Sequence, residues 1–124
     1  MDYSKKPGQK IERIGEVTNK EKATISIVTP FYNSGKTISE TANSILSQTY
    51  PYFEWLIVDD GSKDKESLKI LDETEKMDSR IKVFHKRNEG PALARDYGIE
   101  KSSKETKYMF FLDSDDLINP TMLE

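Results

Sequence analysis

Phe110-Phe111-Leu112-Asp113-Ser114-Asp115-Asp116 is an apolar run that ends in three carboxylates within four positions. An earlier stretch repeats the pattern, with Trp55-Leu56-Ile57-Val58 leading directly into Asp59-Asp60-Gly61-Ser62. Two apolar strands would thus deliver acids to one edge of one sheet. In open α/β sheets, ligands bind in the crevice outside the carboxyl ends of the strands, where loops and helix N-termini converge. The two acidic tips therefore read as an address for a ligand or a metal.

Outward from these runs, the chain alternates strand and helix signals from Ala23 onward. The first strand is expected over Thr24-Ile25-Ser26-Ile27-Val28-Thr29, closed by Pro30, which has no N–H for a central ladder. A helix follows from about Lys36 to Gln48, with Ile38, Ala42, Ile45 and Leu46 on one face, Ser34 as N-cap and Pro51 as the stop. The second strand, Phe53 to Val58, is apolar almost throughout, as expected when helices cover both faces. A second helix is predicted from about Asp64 to Met77, burying Leu68, Leu71 and Met77, followed by a short strand from Ile81 to Phe84. Asn88-Glu89-Gly90-Pro91 punctuates the chain, with Pro91 opening a third helix to about Ser102. Gly98 inside that helix costs about 1 kcal/mol relative to alanine, which points to close packing against a strand. The last strand is Tyr108 to Leu112, and Asn119-Pro120 begins a fourth helix. Strands separated by helices of this length predict right-handed crossovers. The fold class is α/β: a mainly parallel sheet with helices on both faces, Rossmann-like.

Composition narrows the function classes. The 124 residues suffice for one domain and one core. Residues 1–22 alternate lysines, arginine and acids around Ile11, Ile14 and Val17, and are expected to form a polar leader, flexible or loosely docked, with a short helix as the lesser alternative, ahead of a folded unit over 23–124. A net charge of −3 gives no electrostatic footprint for nucleic acid. The absence of cysteine removes disulfides and thiolate metal sites, and one histidine leaves little room for an imidazole-rich one. No apolar stretch approaches the ~18 to 20 residues of a membrane span, so the chain reads as soluble and cytoplasmic.

Each candidate for chemistry has a plainer counterpart. In an extended segment Asp113 and Asp115 point the same way and Asp116 the opposite way. Two aligned carboxylates without histidine or cysteine suit a hard cation, Mg²⁺ or Mn²⁺. The same acids would also serve as a turn and caps ahead of Asn119-Pro120, and the residues alone leave both readings open. Taken alone, Asp59-Asp60-Gly61-Ser62 reads better as a strand-ending turn in which Gly61 supplies a positive φ and an acid or Ser62 caps the next helix. The shared sheet edge shifts the balance: Pro30-Phe31-Tyr32-Asn33 would lie beside both acidic tips, with Tyr32 placed to stack on a nucleobase and Asp60 to accept from its edge. Gly35-Lys36-Thr37 resembles the end of a phosphate loop, but the glycine required five residues earlier is Pro30. Lys86 and Arg87 read as an exposed salt-bridged face, Arg95 as a cation one turn into the third helix, and His85 as a surface or half-buried residue with no partner in sight.

With these residues placed, the chain resembles the donor-binding half of a family 2 glycosyltransferase of the GT-A fold, from about Thr24 to Glu124. The segments that carry the resemblance are 25–33, 44–51, 53–54 leading to 58–62, 88–90 with Ala94-Arg95, and 111–116. The resemblance implies a nucleotide-sugar donor, commonly a UDP-sugar, bound with Mn²⁺ or Mg²⁺. It implies that Pro30 and Tyr32 line the nucleoside pocket, that Asp60 reads the base and that Arg95 lies near the diphosphate. The Asp-X-Asp motif falls on Asp113 and Asp115, with Asp115 the direct metal ligand and Asp113 touching both metal and nucleotide. The implied reaction is an inverting transfer to a hydroxyl of a glycan, a lipid-linked or another acceptor. Its carboxylate base is expected beyond Glu124, in a longer enzyme that could sit peripherally at the inner face of the membrane. Surfaces left bare by a truncation after the motif would favour self-association. Asp96 departs from the asparagine common in similar proteins. The competing class is a non-catalytic nucleotide-binding or interaction module, in which the acids are caps and turns.

Overall fold

The computed structural model describes residues 24–115. Its elements run β1 (Ile25–Phe31), α1 (Gly35–Leu46), β2 (Phe53–Asp60), α2 (Lys65–Glu75), β3 (Ile81–Lys86), α3 (Pro91–Lys101) and β4 (Tyr108–Phe111). The leader, Asp116 and the fourth helix expected at Asn119-Pro120 lie outside the described residues.

The strands form one sheet in the order β3-β2-β1-β4, and every pairing is parallel. Alternation along each strand sorts the side chains. In β1 and β2, Ile25, Ile27, Phe31, Phe53, Trp55 and Ile57 join Ile38, Ala42, Ile45 and Leu71 in a core beneath α1 and α2. The alternate residues, Val28 among them, face α3. An alanine at Gly98 would place its Cβ 2.5 Å from Val28 Cγ1, so glycine lets α3 settle onto β1, as the sequence indicated. The helix switches faces because the chain reverses direction: β1 to β3 step outward one way, and α3 carries it back across to β4.

Several boundaries differ from the sequence expectations for identifiable reasons. Pro30 lies inside β1, paired with Val58, instead of closing it. Even-numbered residues of β1 turn their backbone groups toward β4, and that ladder ends where Leu112 N–H donates to Val28 O, so Pro30 stands beyond the last bond that would need its N–H. The second and third strands run two residues further than expected because Asp59 pairs with His85 and Asp60 with Lys86. Helix α1 begins at Gly35 and ends at Leu46, and Ser34 occupies the N-cap position without capping, its hydroxyl donating to Tyr32 O instead. Helix α2 ends at Glu75, so Met77 falls past it and is exposed. Its cap is Asp64, which accepts from Ser67 N–H at 3.1 Å and Ser67 Oγ at 2.6 Å. β4 ends at Phe111 and α3 at Lys101, each one residue short of expectation.

At the opposite end of the sheet from the acidic tips, buried Glu54 gathers donors. It accepts from Ser26 Oγ at 2.6 Å and Ser103 N–H at 2.7 Å, with Lys82 Nζ at 3.4 Å. A carboxylate sealed beneath α3 requires such partners. By holding Ser103 it fastens the α3–β4 connection to the sheet.

Candidate functional site

An open cleft of about 640 Å³ lies at the carboxyl ends of the strands. Its walls are the loop after β1 (Pro30, Phe31, Tyr32, Asn33, Ser34), the start of α1 (Lys36, Thr37), Asp60 at the end of β2, Asp64 and Ser67 of α2, Pro91 of α3, and Asp113, Ser114 and Asp115 after β4. β1 and β4 are neighbours whose connections leave in opposite directions, which makes the gap between them the topological switch point of the sheet. The cleft brings together Pro30, Tyr32, Asp60, Asp113 and Asp115. Arg95 does not line it but reaches its rim, with its guanidinium 3.6 Å from Asp113 Oδ1.

The adjacent acids of β2 have different work because neighbouring strand residues face opposite ways. Asp59 turns beneath α1 and α2, accepts Ser62 N–H at 3.0 Å and holds His85 Nδ1 at 2.8 Å. A carboxylate only accepts, so the proton of that bond sits on Nδ1. His85 therefore has a partner, contrary to the sequence expectation, although its side chain is 65% exposed. Asp60 turns toward α3. Its Oδ1 accepts Glu89 N–H and its Oδ2 accepts Gly90 N–H, each at 2.9 Å, while Asn88 Nδ2 donates to its main-chain carbonyl at 2.9 Å. Asp60 thus orders the loop that opens α3 as well as lining the cleft.

Lys86 differs most from its expected role. Its side chain is only 11% exposed and lies between Asp60 Oδ1 (3.5 Å) and Glu89 Oε1 (2.6 Å) instead of standing in solvent. The hydrogen bond from Lys86 holds the Glu89 carboxyl below its ordinary range, with Arg87 adding to the effect. Glu89 in turn, with Asp60, raises the Lys86 ammonium above its ordinary value. Arg87 is exposed, as expected.

Sequence reasoning missed the groups that tie the loops together. Asn33 has φ 50°, and its Oδ1 accepts the N–H groups of Lys63 and Asp64, each at 3.0 Å, while its own N–H donates to Ser62 Oγ at 2.8 Å. The available signal was asparagine's tolerance of the left-handed region in a strand-to-helix turn. Thr37 and Thr41 both donate to Ser114 O, at 3.1 and 2.9 Å, fixing the residue between the two acids. Their spacing of four on one helix face was the only trace in the sequence.

The site fits a hard divalent cation in a limited way. Asp113 and Asp115 offer carboxylate oxygens at the cleft surface, with the Asp113 side chain 62% exposed. Among the described residues no group of three or more His, Cys, Asp or Glu is placed to hold a metal ion. Two protein carboxylates, with water and substrate phosphates completing the shell, is the habit of Mg²⁺.

Glycosyltransferase GlyG of Streptococcus pneumoniae is 42% identical over 101 residues, covering 81% of this chain and 33% of its own length. The putative teichuronic acid biosynthesis glycosyltransferase TuaG of Bacillus subtilis is 40% identical over 104 residues, covering 83% and 40%. The chain spans less than half the length of these relatives. Among solved structures, S. aureus TarS 1–349 in complex with UDP-GlcNAc superposes with a TM-score of 0.72 at 34% identity, over 81% of this chain and 29% of that 1–349 chain. A mannosyltransferase from Pyrobaculum calidifontis, 21% identical with a TM-score of 0.67, shares the fold. No helix among the described residues is long and apolar enough to cross a membrane. The parallel α/β sheet is thus that of the GT-A glycosyltransferases, and the profile that matches residues 26–124 is that of glycosyl transferase family 2, to which this chain belongs.

Proposed function

We propose that this chain is the donor-binding part of an inverting glycosyltransferase that takes a nucleotide-diphospho-sugar, a UDP-sugar, together with Mn²⁺ or Mg²⁺. The observation that carries the reading is the meeting of Tyr32, Asp60 and the Asp113–Asp115 loop in one cleft at the switch point of the sheet. The 34% identical TarS structure in complex with UDP-GlcNAc supports a uridine nucleotide as the donor.

Pro30 and Tyr32 would line the nucleoside pocket, where an exposed tyrosine ring offers a stacking face. Each Asp60 oxygen accepts one backbone N–H at 2.9 Å, and an N–H of the base would displace the longer 3.5 Å contacts of Lys86 Nζ with Oδ1 and of Asn88 Nδ2 with Oδ2. Arg95, already beside Asp113, would add positive charge near the diphosphate. A divalent ion held by Asp113 and Asp115 would supply Lewis-acid stabilisation of the departing nucleoside diphosphate. In the transfer, the acceptor oxygen forms its bond to the anomeric carbon as the bond to the phosphate oxygen breaks. The electron pair leaves with the diphosphate and the acceptor proton passes to a carboxylate base. We assign none of the described residues to that base or to the acceptor site.

The free-ion Mn²⁺ resonance provides a test. Addition of the chain with UDP should quench it, and Asp115→Ala should restore it while the circular dichroism spectrum stays that of the parent. Equal quenching by parent and variant would remove Asp115 from the metal site. No quenching by the folded parent would favour the non-catalytic module, in which the acids are turns and caps.

A further inference from the structure

We propose that Thr37 and Thr41 of α1 are positioning residues for the Asp-X-Asp loop, acting through the carbonyl of Ser114. The proposal deepens the donor-site reading above and rests on it. The two threonines lie four apart and therefore on one face of α1. A threonine hydroxyl in a helix ordinarily donates to the carbonyl three or four residues back, and those acceptors are present here: Ser34 O lies 3.3 Å from Thr37 Oγ1, and Thr37 O lies 3.3 Å from Thr41 Oγ1. Each hydroxyl has one proton, and each lies nearer to Ser114 O, at 3.1 and 2.9 Å. Two donors from one helix thus converge on one carbonyl of a different segment and occupy both of its lone pairs.

The place of that carbonyl gives the contact its consequence. The ladder between β4 and β1 ends at Leu112 N–H donating to Val28 O, so the chain carrying Asp113 and Asp115 has already left the sheet. Fixing Ser114 O sets the plane of the peptide joining Ser114 to Asp115, and hence the directions in which the two flanking carboxylates leave the loop. Helix α1 also contributes Lys36 and Thr37 to the cleft wall, so one rigid element sets both the wall and the acids opposite it. Groups that orient metal ligands from behind typically govern affinity for the ion strongly.

The test compares Thr37→Val/Thr41→Val, which keeps the branched shape and deletes both hydroxyls, with Thr37→Ser/Thr41→Ser, which keeps the hydroxyls and deletes the methyls. Calorimetric titration of UDP, once with Mn²⁺ and once with EDTA, gives an affinity ratio for each chain. The ratio should fall by about ten- to a hundredfold in the valine pair, as for other groups behind a metal ligand, and recover in the serine pair. Backbone order parameters of residues 113–115, measured without ligand, should drop in the valine pair alone. Thr37→Val by itself provides a milder variant, because Thr37 is only half-buried whereas Thr41 is fully buried. A valine pair with the parental ratio and parental order parameters overturns the proposal, as does a serine pair as weak as the valine pair. A parent chain with no Mn²⁺ dependence at all overturns the donor-site reading instead, and the order parameters then decide the role of the hydroxyls.

Discussion

Replacing Gly61 by alanine should damage the site from the backbone outward. Gly61 has φ +74°, a region that costs an L-residue about 1–2 kcal/mol. Its new Cβ would also lie 2.6 Å from the backbone nitrogen of Asn88 and 3.0 Å from Asn88 Cβ. Restoring ordinary contact at 3.4 Å requires the Asn88 loop to retreat by roughly 0.8 Å. That loop is held to β2 by three bonds of 2.9 Å, from Asn88 Nδ2, Glu89 N–H and Gly90 N–H to Asp60. A retreat away from β2 stretches them to about 3.7 Å, beyond useful hydrogen-bond length. Water replaces part of what is lost, so a further 1–2 kcal/mol is a reasonable share of two bonds to the carboxylate, worth about 1.5–3 kcal/mol each, and one to the neutral main-chain carbonyl, worth about 1 kcal/mol. The expected total is about 3 kcal/mol. Urea denaturation followed by the emission of Trp55, fully buried with its Nε1 donating to Thr29 Oγ1 at 2.8 Å, provides the assay. Asn88→Ala serves as the control, since it removes a side-chain bond without a clash and should cost about 1 kcal/mol. A Gly61→Ala chain that loses no more than the control, with unshifted Glu89 and Gly90 amide resonances, would refute the reasoning.

Other perturbations follow from the same geometry. Gly98→Ala should lose about 1 kcal/mol, the balance of overpacking against Val28 and a gain in helix propensity, and Val28→Ala in the same chain should relieve the clash non-additively in a double-mutant cycle. Glu54→Ala should cost about 3 kcal/mol in urea denaturation, because Ser103 N–H loses its acceptor and Lys82 its partner; a loss under 1 kcal/mol would mean that the α3–β4 connection is held by other contacts. Asp78 is held below its ordinary carboxylate value by hydrogen bonds from the Arg80 side chain, against the opposing effect of burial. Since its folded value lies below its unfolded one, the stabilisation is present above about pH 3.8 and is lost as pH falls through the folded value. Asp78→Asn should therefore cost about 0.5–1 kcal/mol at pH 7 and nothing well below pH 3.8, and equal losses at both pH values would contradict the assignment.

The order of elements was legible because each apolar run had strand length and was followed by helical periodicity, with Pro51 and Pro91 marking borders. The close packing of α3 against a strand was foreshadowed by Gly98, whose missing side chain makes sense only against a neighbour. Strand ends were less legible. Asp59, Asp60, His85 and Lys86 are poor strand formers individually and become strand only because they pair with each other. Pro30 was misread as a terminator because its harmlessness depends on where β4 stops, a tertiary fact. At the site, the acids and Tyr32 stood out by type and position. The grip of Asp60 on the 88–90 loop, its contact with Lys86 and the two hydroxyls on Ser114 involve partners 26 to 77 residues apart, which no local pattern encodes.

A uridine nucleotide is proposed to occupy the cleft at the carboxyl ends of β1 and β4. The most direct test is the map of amide shifts when UDP is titrated into the ¹⁵N-labelled chain with Mg²⁺ present. The account predicts that the perturbed amides cluster at 31–37, at Asp60, at 89–92 and at 113–115, with the β3 edge and the buried end around Glu54 unmoved. Saturating UDP that shifts nothing in a well-dispersed spectrum, or shifts only residues outside those segments, would contradict it.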